Sequence, residues 1–150
     1  MTMLAAIRPD DVDVALLFHV LGAMILLGGL VTAATAGIAG WREDTGELQR
    51  LAYKTLLLVA FPGLVVMRLA AEWVYREENL DAVPEEPAWI GIGYLTADLG
   101  GLLLLVALVL GGIGVRRGGG GALLKAAVVL ATLLVAVYVV AVWAMGAKPT

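Results

Sequence analysis

Apolar residues fill four long, almost uninterrupted stretches, Val12 to Gly40, Leu48 to Tyr75, Trp89 to Val115 and Ala122 to Met145, and the polar residues collect between them. Each stretch exceeds the roughly 20 residues a helix needs to cross a hydrocarbon core of about 30 Å, with surplus for tilt. A membrane strand needs only about 10 residues of alternating polarity, so continuous apolarity on this scale excludes strands. The pattern predicts an all-α membrane protein, a single domain over residues 1–150 built as a bundle of four transmembrane helices over about residues 12–40, 48–76, 89–115 and 122–145.

Few polar residues interrupt these stretches, and each needs a reason. In the first, His19 is the only histidine of the chain. At 100° per residue it shares a stripe with Ala15, Gly22, Ala23, Leu26, Gly29, Ala33, Gly37 and Gly40. Small residues mark the side of a membrane helix on which another helix packs closely, so His19 is expected to face protein. The second stretch carries Pro62-Gly63 near its middle, where the missing N–H predicts a kink and frees a carbonyl near Leu58. Beyond the kink come Arg68 and Glu72, spaced to stack on one helix face. A charge at bilayer depth costs roughly 2.5 to 3.5 kcal/mol even on the lenient insertion scale, so other helices must compensate Arg68. In the third stretch Tyr94, Asp98 and Gly101 share a face: a phenol, a carboxyl and a glycine suited to close approach. The fourth is apolar except for Lys125 at one end, Thr132 and Tyr138.

Composition agrees with the pattern: 61% hydrophobic, 15% charged, mean hydropathy +0.95, a balance outside the soluble range. Cysteine is absent, which excludes thiolate catalysis, disulfide exchange and thiolate metal sites, four-helix thiol oxidoreductases among them. Asp10, Asp11 and Asp13 precede the first stretch where a secretory signal carries basic residues, so that stretch is expected to stay as a helix. Gly118 to Gly121 lies near Lys125, but the Gly-Lys-Ser/Thr order and a preceding strand are missing, so it is not a phosphate loop.

Basic residues orient the bundle. The first connection holds Arg42, Arg50 and Lys54 and the third Arg116, Arg117 and Lys125, against Arg8, Arg76 and Lys148 on the opposite side. The positive-inside rule then places both termini and the second connection outside, in a multi-pass protein of the cell membrane, by expectation a bacterial inner membrane. The second connection carries Glu77, Glu78, Asp81, Glu85 and Glu86, an acidic outer mouth.

Counting 1.5 Å per residue from the expected helix ends, Glu72 lies about 5 Å below the outer boundary, His19 about 8 Å, Arg68 and Tyr138 about 10 Å and Asp98 about 13 Å. All sit in the outer half, while the inner half of every helix is almost wholly Leu, Val, Ala, Ile and Gly. A channel or alternating-access transporter needs polar residues on both sides of the midplane, so proton or ion transport is the least favoured class. Arg68 is expected to pair with Asp98 across the second and third helices, with His19 within reach.

The segment Leu17-Phe18-His19-Val20-Leu21-Gly22-Ala23, followed by Leu27-Gly28-Gly29, resembles the opening of small bacterial four-helix integral membrane families without assigned roles and, more remotely, of copper-resistance D-type proteins and the membrane-bound bacterial protoporphyrinogen oxidase. The oxidase-like resemblance implies haem bound by His19. The chain departs from it in lacking a second histidine and an intramembrane lysine, so iron would need Met24 or Met67, five-coordination or a second copy as its other ligand. Two function classes lead. One is a structural or accessory subunit whose polar cluster (His19, Arg68, Glu72, Tyr94, Asp98, Tyr138) fixes helix register while small-residue stripes dock further copies or the subunits of a larger membrane complex. The other is a module that uses the same cluster to bind haem, a quinone or another small ligand. The lipid bilayer is the expected environment, nucleic acid is not an expected partner, and no motif supports an enzymatic reaction.

Overall fold

The computed structural model describes residues 10–79, 88–119 and 121–147. They form four long helices: α1 (Asp10–Arg42), α2 (Gly46–Glu77), α3 (Ala88–Arg116) and α4 (Ala122–Ala147). No strand occurs among the described residues. All four helices are long and apolar enough to cross a membrane. Large apolar side chains such as Met24, Leu58, Leu69, Leu95 and Val109 stand exposed around the bundle, a surface that only a lipid solvent tolerates. The chain is thus a multi-pass α-helical membrane protein. With four crossings, the start of α1 and the end of α4 lie at one end of the bundle, called here the terminal end. The ends of α1 and α3 and the starts of α2 and α4 lie at the other, the loop end. The acidic residues Asp81, Glu85 and Glu86, with Arg8 and Lys148, fall outside the described residues.

α2 is one span in three pieces: an α-helix over Gly46–Thr55, a π-helical turn over Leu56–Ala60 and an α-helix over Phe61–Glu77. The irregularity of the hydrogen-bond ladder thus lies just ahead of Pro62 and Gly63, toward the loop end. Pro62 has no N–H for the carbonyl four residues back, and the ladder responds one residue earlier: the Phe61 N–H donates to the Leu56 carbonyl, five residues away. The distortion lies within the length of α2 that packs along α1. Its Gly46–Thr55 portion reaches α3 through Tyr53, whose ring packs on Gly111 and whose hydroxyl lies over Gly112. Its Phe61–Glu77 portion packs along α1 and meets α3 at few points, among them the Arg68–Asp98 pair and Leu64 beside Gly101.

α1 and α2 interlock through glycine. A Cβ on Gly22 would lie 2.4 Å from the Met67 backbone nitrogen, one on Gly63 2.5 Å from that of Leu26, and one on Gly29 2.7 Å from that of Ala60. Backbones approach this closely only where side chains are missing, the means by which membrane helices gain dispersion energy without a hydrophobic driving force. On the other side α1 packs against α4, and α4 packs along α3. Leu26, Leu30, Leu56, Leu104 and Leu134 fill the shared core. At the loop end the buried Gln49 donates from Nε2 to the Gly40 carbonyl at 3.2 Å, capping the end of α1. The order around the bundle is α2, α1, α4, α3, and the ring closes poorly where α3 should meet the Phe61–Glu77 part of α2.

Candidate functional site

That incomplete closure leaves a cavity of about 290 Å³ toward the terminal end. Every helix contributes small residues to its wall: Ala23 from α1, Ala71 from α2, Gly93 and Ala97 from α3, Ala141 from α4. Elsewhere in the bundle such residues let backbones touch. Here Ala23, Ala71, Ala97 and Ala141 border a void, while Gly93 takes the end of the Met145 side chain. The remaining wall is apolar and aromatic, with Met67, Tyr75, Trp89, Tyr94, Tyr138 and Met145, and its polar side chains include His19 and Arg68.

Across the front of the cavity, Arg68 bridges α2 to α3. Its Nε donates to Asp98 Oδ1 at 3.2 Å and its Nη1 to Glu72 Oε1. Its guanidinium lies 4.8 Å from the centre of the Tyr94 ring, a cation–π contact. Tyr94 in turn meets Tyr75 edge to face at 5.7 Å. One guanidinium thus serves two carboxylates, and the cluster carries one net negative charge when all three are ionised. Glu72 and Asp98 stand outside the cavity lining; the Asp98 side chain is 65% exposed and that of Arg68 31%.

His19 is placed by α1 against α2, where its Nδ1 lies 3.1 Å from the Met67 carbonyl oxygen. A carbonyl only accepts, so Nδ1 carries the proton and a neutral ring leaves Nε2 as a bare acceptor. Tyr138 is 5% exposed, and its hydroxyl finds no hydrogen-bond partner among the described residues. The phenol fits because residue 100 is glycine: a Cβ there would lie 2.7 Å from the Tyr138 hydroxyl. The sequence pattern pointed to Gly101 as the glycine of close approach, but Gly101 meets only Leu64 Cδ2, at an ordinary 3.4 Å. The correction is one residue, or about 100° of helix rotation.

An orphan hydroxyl in an apolar wall costs free energy relative to a ring without it. Tyr138→Phe is therefore expected to be neutral or to raise thermal stability in detergent by the equivalent of about 1 kcal/mol. A marked loss of stability would mean that this hydroxyl has a partner.

The structure brings His19, Arg68, Tyr94 and Tyr138 to one cavity, sets Glu72 and Asp98 on its rim, leaves Pro62 exposed and uses Gly63 for packing. Residue patterns missed Tyr75, Ala97 and Gly100, and named Met67 only as an iron ligand. The signal for part of this was the spacing of Gly93, Ala97 and Gly100, small residues on one face of α3. Among the described residues no three of His, Asp and Glu gather as metal ligands. Haem, implied by the resemblance, fits poorly. His19 has a carbonyl on its Nδ1, as an axial histidine uses, but two propionates need cations, and the guanidinium in the wall, Arg68, is already shared by two carboxylates.

Fold and site together define a class: a multi-pass helical membrane protein with an intramembrane cavity fronted by an ion-paired bridge. No family model, curated protein or solved structure matches the chain.

Proposed function

We propose that this protein is a small membrane-embedded binding module whose cavity holds an uncharged or weakly polar small molecule drawn from the bilayer. The observation that carries the reading is the void itself. Residues without bulk, from four different helices, border a largely apolar space that His19 and Arg68 also line, the usual constitution of a ligand pocket. The weak closure between α3 and the Phe61–Glu77 part of α2 offers a lateral way in from lipid. On this reading the Arg68 bridge is structural: it spans the opening and sets the register of α2 against α3. The excess of Lys and Arg at the loop end supports a cavity on the outer side of the cell membrane. The bacterial families that the first helix resembles support a bacterial inner membrane. At the loop end the Tyr53 contact with Gly111 and Gly112 closes α2 on α3, which counts against a conducting path.

The test is native mass spectrometry of the detergent-purified protein beside Ala97→Trp, which fills the cavity from α3. Wild type is expected to retain a small-molecule adduct, and Ala97→Trp to lose at least nine-tenths of it while eluting as folded protein. Equal retention in both would refute the reading.

The accessory-subunit reading has its own supporting observation. The Asp98 side chain is 65% exposed on an α3 face shared with the exposed Leu95, Leu99 and Leu102, and a carboxylate among lipid-facing leucines is a natural contact for a second copy or another subunit. A cysteine at Leu102 that forms crosslinked dimers in membranes would favour it; a strictly monomeric outcome would remove it.

A further inference from the structure

The hydrogen-bonding inventory of the cavity selects among ligands. His19 gives its Nδ1 proton to the Met67 carbonyl at 3.1 Å. In the neutral ring Nε2 then holds a lone pair and no proton, and it has no partner among the described residues. Arg68 spends its Nε on Asp98 and one Nη1 proton on Glu72, so its remaining N–H groups are donors. His19 Nε2 is therefore an acceptor that cannot donate and Arg68 a donor that cannot accept, while the hydroxyls of Thr96, Tyr75, Tyr94 and Tyr138 in the same wall can turn to either role.

The fixed roles of His19 and Arg68 discriminate among head groups. A ketone or an ether satisfies Arg68 and leaves His19 unmatched. A carboxylate also satisfies Arg68, but it adds negative charge beside Glu72 and Asp98, already one charge in excess. An ammonium donates to His19 but has no lone pair to accept from Arg68. A neutral hydroxyl donates to imidazole and accepts from guanidinium. The body of the ligand follows from the walls: Tyr75, Tyr94 and Tyr138 are aromatic, and about 290 Å³ suits one substituted ring.

We infer that the cavity binds a lipid-soluble phenol or quinol, its ring hydroxyl donating to His19 Nε2 and a ring oxygen accepting from Arg68. Any alkyl or prenyl tail leaves between α2 and α3 into the bilayer. The inference rests on the reading of the cavity as a ligand site and adds the chemistry of its occupant.

The experiment uses the full chain in lipid nanodiscs and three probes: p-hexylphenol, its methyl ether p-hexylanisole, and decanol. Binding is read by quenching of tryptophan fluorescence, since Trp89 lies in the wall. The phenol is expected to bind about tenfold more tightly than the ether, the value of one well-made hydrogen bond whose loss leaves an acceptor unpaired. His19→Phe should bring the phenol to the affinity of the ether, and His19→Gln, which keeps an acceptor, should restore part of the preference. Ala97→Trp should abolish binding of both. Equal binding of phenol and ether by wild type, with both lost in Ala97→Trp, overturns the hydroxyl assignment while the cavity reading stands. Decanol binding as tightly as the phenol overturns the aromatic assignment, and so does failure of wild type to bind any of the three. Quenching that persists in Ala97→Trp removes both the assignment and the cavity reading. The wild-type comparison of phenol with ether needs no variant, so the inference stays testable even where His19→Phe does not fold.

Discussion

Replacing Gly63 by leucine is expected to lose most of the folded protein, with a destabilisation of about 3 kcal/mol or more, at the upper end of overpacking because the obstacle is backbone. A Cβ at this position would lie 2.5 Å from the Leu26 nitrogen and 2.9 Å from its Cα, and main-chain atoms cannot rotate away. The helices must separate instead. The loss then spreads along the α1–α2 seam, through Leu26, Leu30, Leu56, Ala60 and Leu64. It also reaches the site, because the same seam holds His19 against the Met67 carbonyl. Gly28 is the internal control: nothing lies within 4 Å of a Cβ there, so Gly28→Leu should leave the melting temperature within a few degrees of wild type. Thermal unfolding in detergent, followed by size-exclusion chromatography of what stays soluble, makes the comparison. If Gly63→Leu melted with Gly28→Leu, the interlocked seam would be wrong.

The second large effect belongs to Arg68. With Arg68, Glu72 and Asp98 ionised the cluster carries one net negative charge. Arg68→Gln leaves two carboxylates without a cation, whereas Asp98→Asn leaves a neutral Arg68–Glu72 pair. Breaking a buried pair by removing one partner costs about 3 to 5 kcal/mol, and the partial exposure of this cluster lowers the expectation for Arg68→Gln to about 2 kcal/mol. Asp98→Asn should cost less than half of that. The triple variant Arg68→Gln, Glu72→Gln, Asp98→Asn should recover most of the loss, since no uncompensated charge remains in the bilayer. Unfolding of the set in a single detergent gives the coupling directly. A triple variant less stable than Arg68→Gln would show that the cluster holds the bundle by something other than charge balance. The bridge also spans the opening between α2 and α3, so Arg68→Gln is expected to quicken entry and exit of whatever the cavity binds.

These two sites were unequally legible. Arg68 announced itself, because a guanidinium in an apolar span is expensive wherever it is placed. The few carboxylates within the spans narrow its partners to Glu72 on its own helix and Asp98 on another. Gly63 did not announce itself as a packing residue. It follows Pro62, and the pair reads as a kink signal, whereas in the folded chain the ladder slips at Leu56–Ala60 and Gly63 serves the contact with Leu26. The difference between Gly100 and Gly101 is of the same kind: periodicity finds a face to within about one residue, and only the position of Tyr138 on α4 selects which glycine must lack a Cβ.

The residue pattern by itself determined four membrane helices, with ends within a few residues of those observed, and a set of polar side chains confined to one half of the spans. The reason is the solvent: hydrocarbon imposes length, apolarity and hydrogen-bonded helix on any segment that crosses it, and these are local demands that each stretch meets alone. Tertiary structure alone decided that small residues of four helices enclose a void in one place and seal a seam in another, and that the Met67 carbonyl fixes the His19 tautomer. Whether an alanine makes a contact or a cavity depends on how far away the next helix stands, and that distance is set by the packing of the whole bundle.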